Sequence, residues 1–131
     1  MSEQDKAVVR RYYEEVLNRG NLAEVDVLMT ASVVMNGNQI SRDAIKQIAI
    51  NSRLSFPDLQ YTLDGMVAEG DTVAVRWSFR GKQSGEYRGT APTWKEVSCT
   101  GMGFWRLENG RITEHWSNID QLGILKQLGL V

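Results

Sequence analysis

Asn109-Gly110 lies between two long alternating segments, and few dipeptides constrain a fold more. A two-residue connection with positive φ at both central positions suits asparagine followed by glycine, and it forces its flanks into an antiparallel hairpin. The first flank runs from Val97 to Leu107, and the second from Arg111 to Ile119, closed by Asp120. Read with period two, Ile112, Glu114, Trp116, Asn118 and Asp120 share one face, and Thr113, His115, Ser117 and Ile119 share the other. An aromatic ring, an amide and a carboxylate thus line up along one side of a sheet. Buried together in a cavity, they would suit acid/base chemistry on an apolar molecule.

Two more strands precede the hairpin. Gln60 to Glu69 is followed by the turn residues Gly70-Asp71, and Thr72 to Arg80 sets Val73, Val75, Trp77 and Phe79 against Ala74, Arg76, Ser78 and Arg80. Gly81 to Thr93 is glycine-rich and polar and reads as a loop. The first half is helical by pattern. Ser2 with Asp5 resembles a capping box, and Val9, Tyr12 and Val16 recur at helical spacing until Gly20 stops the helix. Asn21 with Glu24 opens a shorter helix carrying Leu22, Val25, Leu28 and Met29. A β-like segment, Ser32 to Met35, ends at Asn36-Gly37-Asn38. Ser41 then caps a third helix that stops at the Phe56-Pro57-Asp58 corner. Leu122, Leu125 and Leu128 mark a short last helix. Helices first and antiparallel strands after is an α+β arrangement, expected as one domain over 1–131. The strand face holding Trp77 and Phe79 is expected to meet a second subunit, giving a homodimer.

Composition excludes several functions. A net charge of -1, with basic residues scattered among acids, argues against nucleic acid or an anionic membrane as partner. No apolar run approaches the roughly 20 residues that span a bilayer. The N-terminus Met1-Ser2-Glu3-Gln4-Asp5-Lys6 is unlike a secretion signal, and the lone Cys99 fits a reducing cytoplasm, so a cytoplasmic location is expected. No nucleotide-binding or Ser-His-Asp signature is present, and one His with one Cys leaves too few soft ligands for zinc, so neither cofactor nor metal is expected.

Among the candidate chemical groups, Asp120 gains basicity if Trp116 and Met102 surround it, yet it also suits the N-cap of a helix starting at Gln121. Arg76 and Ser78 lie opposite Trp77. Facing a cavity, Arg76 would bind an enolate or carbonyl oxygen; otherwise it pairs with Asp120, Glu114 or another strand acid. Asn118 is either a donor beside Asp120 or filler on the sheet. Alternation puts His115 on the face opposite Asp120, toward a dimer partner or solvent, unless a bulge shifts the register. Tyr12, Tyr13, Phe56, Trp94, Phe104 and Trp105 are core or cavity aromatics, with Phe56 and Met102 expected to touch a ligand. Cys99 reads as an inert buried thiol.

Several stretches resemble one family in order: Val9-x-x-Tyr12-x-x-Val16-Leu17-Asn18-Arg19-Gly20-Asn21, the Phe56-Pro57-Asp58 corner, Glu69-Gly70-Asp71-x-Val73-Ala74-Val75-Arg76-Trp77, and Thr100-Gly101-Met102. The closing Ile112-x-Glu114-x-Trp116-x-x-x-Asp120-x-x-Gly123-Ile124-Leu125-x-Gln127-Leu128-Gly129 completes the pattern. Together they resemble the SnoaL-like polyketide cyclases of the nuclear-transport-factor-like superfamily. The resemblance implies a cone: a strongly curved antiparallel sheet wrapped on helices around a pocket. It also implies that Asp120 matches the aspartate serving as general acid/base in an intramolecular aldol closure, with Trp116 and Asn118 lining the pocket beside it. Where many relatives read Gly-Thr-His, this chain reads Gly81-Lys82-Gln83. The expected function is cofactor-free aldol cyclisation or isomerisation of a small apolar carbonyl compound, possible for a single carboxylate because a 1,3-dicarbonyl carbon acid is already activated. The alternative is a non-catalytic binder of a small hydrophobic ligand.

Overall fold

The computed structural model describes residues 2–131. Helix α1 (Ser2–Arg11) continues as a wider π-helical segment, Tyr12–Asn18, in which the adjacent Tyr12 and Tyr13 and also Val16 are buried. Gly20, at φ 72°, ends it. Next come α2 (Glu24–Leu28), β1 (Met29–Met35), β2 (Asn38–Ser41) and α3 (Arg42–Ser55). The Ser41 hydroxyl accepts from the Ala44 N–H at 3.1 Å, the N-cap expected of it. The strands β3 (Gln60–Glu69), β4 (Thr72–Lys82), β5 (Glu96–Glu108) and β6 (Arg111–Ile119) follow, and α4 (Gln121–Gln127) closes the chain. Strand β2 goes unforeseen because its four residues are too few to show a period.

The six strands form one curved, unclosed sheet in the order β2-β1-β6-β5-β4-β3. All neighbours are antiparallel except β1 and β6, which run parallel. Asn109 and Gly110, at φ 53° and 78°, make the expected turn between β5 and β6. The inner face carries Val73, Val75, Trp77 and Phe79 from β4 and Val97, Cys99, Trp105 and Leu107 from β5, all buried with Val9, Tyr12, Tyr13, Val16 and Ile45 of the helices. The Trp77 and Phe79 face, expected to meet a second subunit, is therefore the intramolecular core. Both faces of β4 carry large side chains, so alternation alone does not fix the direction, and the helices take the face with the rings.

Strand β6 holds the second correction. Arg106 pairs with Glu114 but Leu107 pairs with Ile112, so Thr113 is an extra residue in a β-bulge. The bulge resets the alternation, and Ile112 and His115 both turn inward and are buried. His115, expected toward solvent or a partner, stacks on Trp105 with ring centres 3.5 Å apart. Trp116 points outward instead and is 46% exposed. Met102 and Phe104 share that outer face at 63% and 59% exposure, while Trp94 lies exposed in the loop before β5, so neither Phe104 nor Trp94 joins the core or a cavity.

Candidate functional site

A cleft of about 900 Å³ opens between the end of α3, the inner face of β3 and β4, and the start of α4. Its floor is aromatic by construction. Tyr61 and Phe79 are direct partners on the inner face of neighbouring strands, and the Phe56 corner folds back over them. Phe56 meets Phe79 edge-on at 5.3 Å and Tyr87 at 5.5 Å, and Tyr61 meets Phe79 at 5.1 Å. Ser55, Glu86 and Gln121 add polar groups, and Ile48, Leu54 and Ile119 are exposed at its edge.

One wall is the segment between β4 and β5, and a single side chain organises it. Gln83 is wholly buried. Its amide nitrogen donates to the carbonyls of Gly85, Thr90 and Ala91 at 3.0, 3.3 and 3.2 Å, and its oxygen accepts from the Thr93 N–H and hydroxyl at 3.1 and 2.6 Å. The wall is seated on α3 through Gly85, where a Cβ would stand 1.7 Å from the Leu54 carbonyl oxygen. The Ser55 hydroxyl adds a bond to the Glu86 carbonyl at 2.6 Å. Sequence reasoning noticed Gln83 only as a departure from the family pattern; nothing in its spacing marks it as a buried hub.

The polar groups of the cleft are coupled. Burial pushes the Tyr61 phenol up to about 12, with further contributions from Cys99 and Tyr87. Burial first and the charge of Asp120 second push the Cys99 thiol up to about 11, so it stays protonated at neutral pH. The Tyr87 hydroxyl accepts a short hydrogen bond from the Gln121 amide nitrogen.

Asp120 itself caps α4, its Oδ1 accepting from the Gly123 N–H at 2.9 Å. It lines a shallower groove of about 450 Å³ with Gln60, Thr62, Ser78, Arg80, Ser98 and Thr100, and Phe79 belongs to the linings of both depressions. Of the other expected site residues, Phe56 lines the large cleft. Arg76, Met102, Trp116 and Asn118 do not; they stand on the outer face with Ser78, opposite the face the pocket reading required. Arg76 donates to the Asp64 carbonyl at 3.2 Å, and the Ser78 hydroxyl bonds the Asp64 carboxylate. Glu114 belongs to Trp116, whose indole donates to it at 2.5 Å, and to Arg106 at 3.2 Å; both bonds hold its carboxyl below the usual range. The residues that sequence reasoning missed, Tyr61 and Tyr87, lie in a strand and a loop whose directions depend on the sheet's curvature.

Among the described residues no three His, Cys, Asp or Glu side chains are grouped as a metal site requires. No described helix is long and apolar enough to cross a membrane.

Comparison with known structures shows how widely this architecture recurs. The chain is similar to IdmH of Streptomyces antibioticus, a candidate polyketide cyclase, at 29% identity and a TM-score of 0.86, over 96% of this chain and 99% of that one. It is similar to AclR of Streptomyces galilaeus, a candidate hydroxylase, at 26% identity and a TM-score of 0.87, over 100% and 99%. TsrD of Streptomyces laurentii shares the fold at 22% identity and a TM-score of 0.89, over 98% and 97%. A search of curated proteins found no match. The sequence model of one family matches residues 7–128, nearly the whole chain, and the protein belongs to the SnoaL-like polyketide cyclases.

Proposed function

We propose that this protein catalyses aldol cyclisation or isomerisation of a small, largely apolar carbonyl compound, with Asp120 as general acid/base and no cofactor. The observation that carries this reading is the position of Asp120: in the family's closing motif, at the start of α4, in a groove that shares Phe79 with the aromatic cleft. One carboxylate oxygen is tied to the helix and Oδ2 makes no hydrogen bond, so a proton can be taken without uncapping α4. In the cyclisation, Asp120 removes a proton from a carbon between two carbonyls. The resulting enolate carbon bonds to a second carbonyl carbon, and the new alkoxide takes the proton back from Asp120, leaving no net redox change. AclR is a reminder that the fold also serves other chemistry.

Asp120→Asn is the direct test, because asparagine caps helices as well as aspartate does and the fold is preserved. Mass-spectrometric assay against linear 1,3-dicarbonyl esters should show turnover falling by about a hundredfold or more while ligand binding persists, the scale of losing a general base. Undiminished turnover would refute the assignment. The exposure of Asp120 and its seat in a separate groove favour one other reading, a binder that sequesters its ligand; equal binding by both forms with no turnover by either would point there.

A second copy of the chain is the partner we assign to the outer sheet face. Val67, Met102, Phe104 and Trp116 are exposed there, with Phe104 and Trp116 direct cross-strand partners and Val67 in the same row through Ala74, and an apolar row of this kind suits a two-fold contact. Phe104→Glu combined with Trp116→Glu should convert a sedimenting dimer to monomer; a wild-type monomer at all concentrations would exclude the assembly.

A further inference from the structure

Two phenols of the cleft have no assigned work. Tyr61 sits mid-floor, its ring packed between Trp77 at 5.2 Å and Phe79 at 5.1 Å, and its hydroxyl makes no hydrogen bond within the chain. Tyr61 is half-buried and its ring contacts hold the hydroxyl in place at the cleft, so a ligand oxygen there can accept from it. Tyr87 approaches from the loop wall, and Phe56 links the two: its ring meets Tyr87 at 5.5 Å and meets Phe79, the cross-strand partner of Tyr61, at 5.3 Å. Its oxygen is already an acceptor for the Gln121 amide, so its own proton is free to be given elsewhere. Both residues line the cleft, and both belong to segments held independently: Tyr61 by its ring contacts, and Tyr87 by the Gln83 hub and by paired backbone bonds with Thr90 at 2.9 and 2.8 Å.

We infer that the Tyr61 and Tyr87 hydroxyls together donate hydrogen bonds to one substrate oxygen, a ketone carbonyl that becomes an enolate. This rests on the cleft being the reaction site. Two prearranged donors over an aromatic floor stabilise developing negative charge more than they stabilise the neutral carbonyl, which is what a proton abstraction requires. The high value of the Tyr61 phenol keeps it a donor through the neutral range. The substrate class this fits is a ketone or phenol oxygen attached to an apolar skeleton, because the lining is largely aromatic and its one cation, Arg88, stands over the Tyr87 ring at 5.7 Å.

The test uses 4-nitrophenol, whose phenolate absorbs visible light, against 4-nitrotoluene, a probe of similar shape without the oxygen. The wild type should bind the phenolate preferentially and lower the apparent pKa of the bound phenol. Tyr61→Phe, which removes an oxygen with no partner in the fold, should cut phenolate affinity about ten-fold and return the bound pKa toward its free value, while 4-nitrotoluene affinity is unchanged. Tyr87→Phe should act in the same direction and the double variant further. Equal losses for both probes, or no loss for the phenolate, would overturn the inference and leave the cleft intact as a ligand site. Failure of the wild type to bind either probe would overturn the cleft reading and the inference with it.

Discussion

A single methyl group added at Gly101 should lower the melting temperature by about 12 °C. Gly101 lies on β5 opposite Trp77 of β4. A Cβ there would stand 2.2 Å from one atom of the Trp77 ring and 2.6 and 2.7 Å from two more. The ring has nowhere to go: it is buried and meets Tyr61 at 5.2 Å on its other neighbour. Overpacking of this severity costs about 3 kcal/mol, and a chain of this size loses about 4 °C per kcal/mol. Thermal unfolding of Gly101→Ala measures it, and adding Trp77→Leu should recover part of the loss by vacating the space. An unshifted melting curve for Gly101→Ala would mean that the two strands are not in this register. The family motif Thr100-Gly101-Met102 thereby gains a physical cause, the room needed by an indole on the next strand.

The second large effect is an acid sensitivity centred on His115. Its ring is buried against Trp105, neither nitrogen has a hydrogen-bond partner, and burial pushes it down to about 4 from an ordinary value near 6.5. The unfolded chain therefore binds a proton in this window that the folded chain refuses, and stability falls as pH drops from about 6.5 to about 4. The full shift corresponds to about 3 kcal/mol. The depressed carboxyls of Glu24, Asp26 and Glu114 contribute with the same sign, but chiefly below this window because their ordinary values lie near its lower end. Urea titrations at pH 7.5 and 4.5 should differ by most of that amount in wild type, and His115→Phe should flatten the difference. A His115→Phe profile parallel to wild type would assign the acid sensitivity elsewhere.

These two positions also show what the sequence disclosed. The positions of β3 to β6, the Asn109-Gly110 turn and the Ser41 and Asp120 caps are local consequences of period two, positive φ and side-chain reach, and are read correctly from neighbouring residues, whereas β2 and the start of β1 at Met29 are not. Which face turned inward is not local. Trp77 and Trp116 look alike to an alternation argument, yet one is core and the other surface, because direction is decided by the helices across the sheet. The bulge at Thr113 compounds the difficulty. Nothing in Ile112-Thr113-Glu114-His115 announces an extra residue, yet it carries His115 into the core and puts Trp116 on the opposite face. The family pattern locates Asp120 in the chain, whereas the groove and cleft around it are products of sheet curvature and loop packing.

Gln83 has a consequence for how this scaffold can diversify. The wall from Gly85 to Ala91 is fastened to the sheet by one residue at its base and rests on α3 at Gly85, while the helices and inner sheet face owe it little. Changes of length or composition at its tip, around Arg88 and Gly89, would re-contour the cleft at small expense to folding as long as that fastening stays. The molecule thereby separates inheritance of the fold from inheritance of ligand choice. New specificities can be sampled in a handful of residues while the rest of the chain holds still.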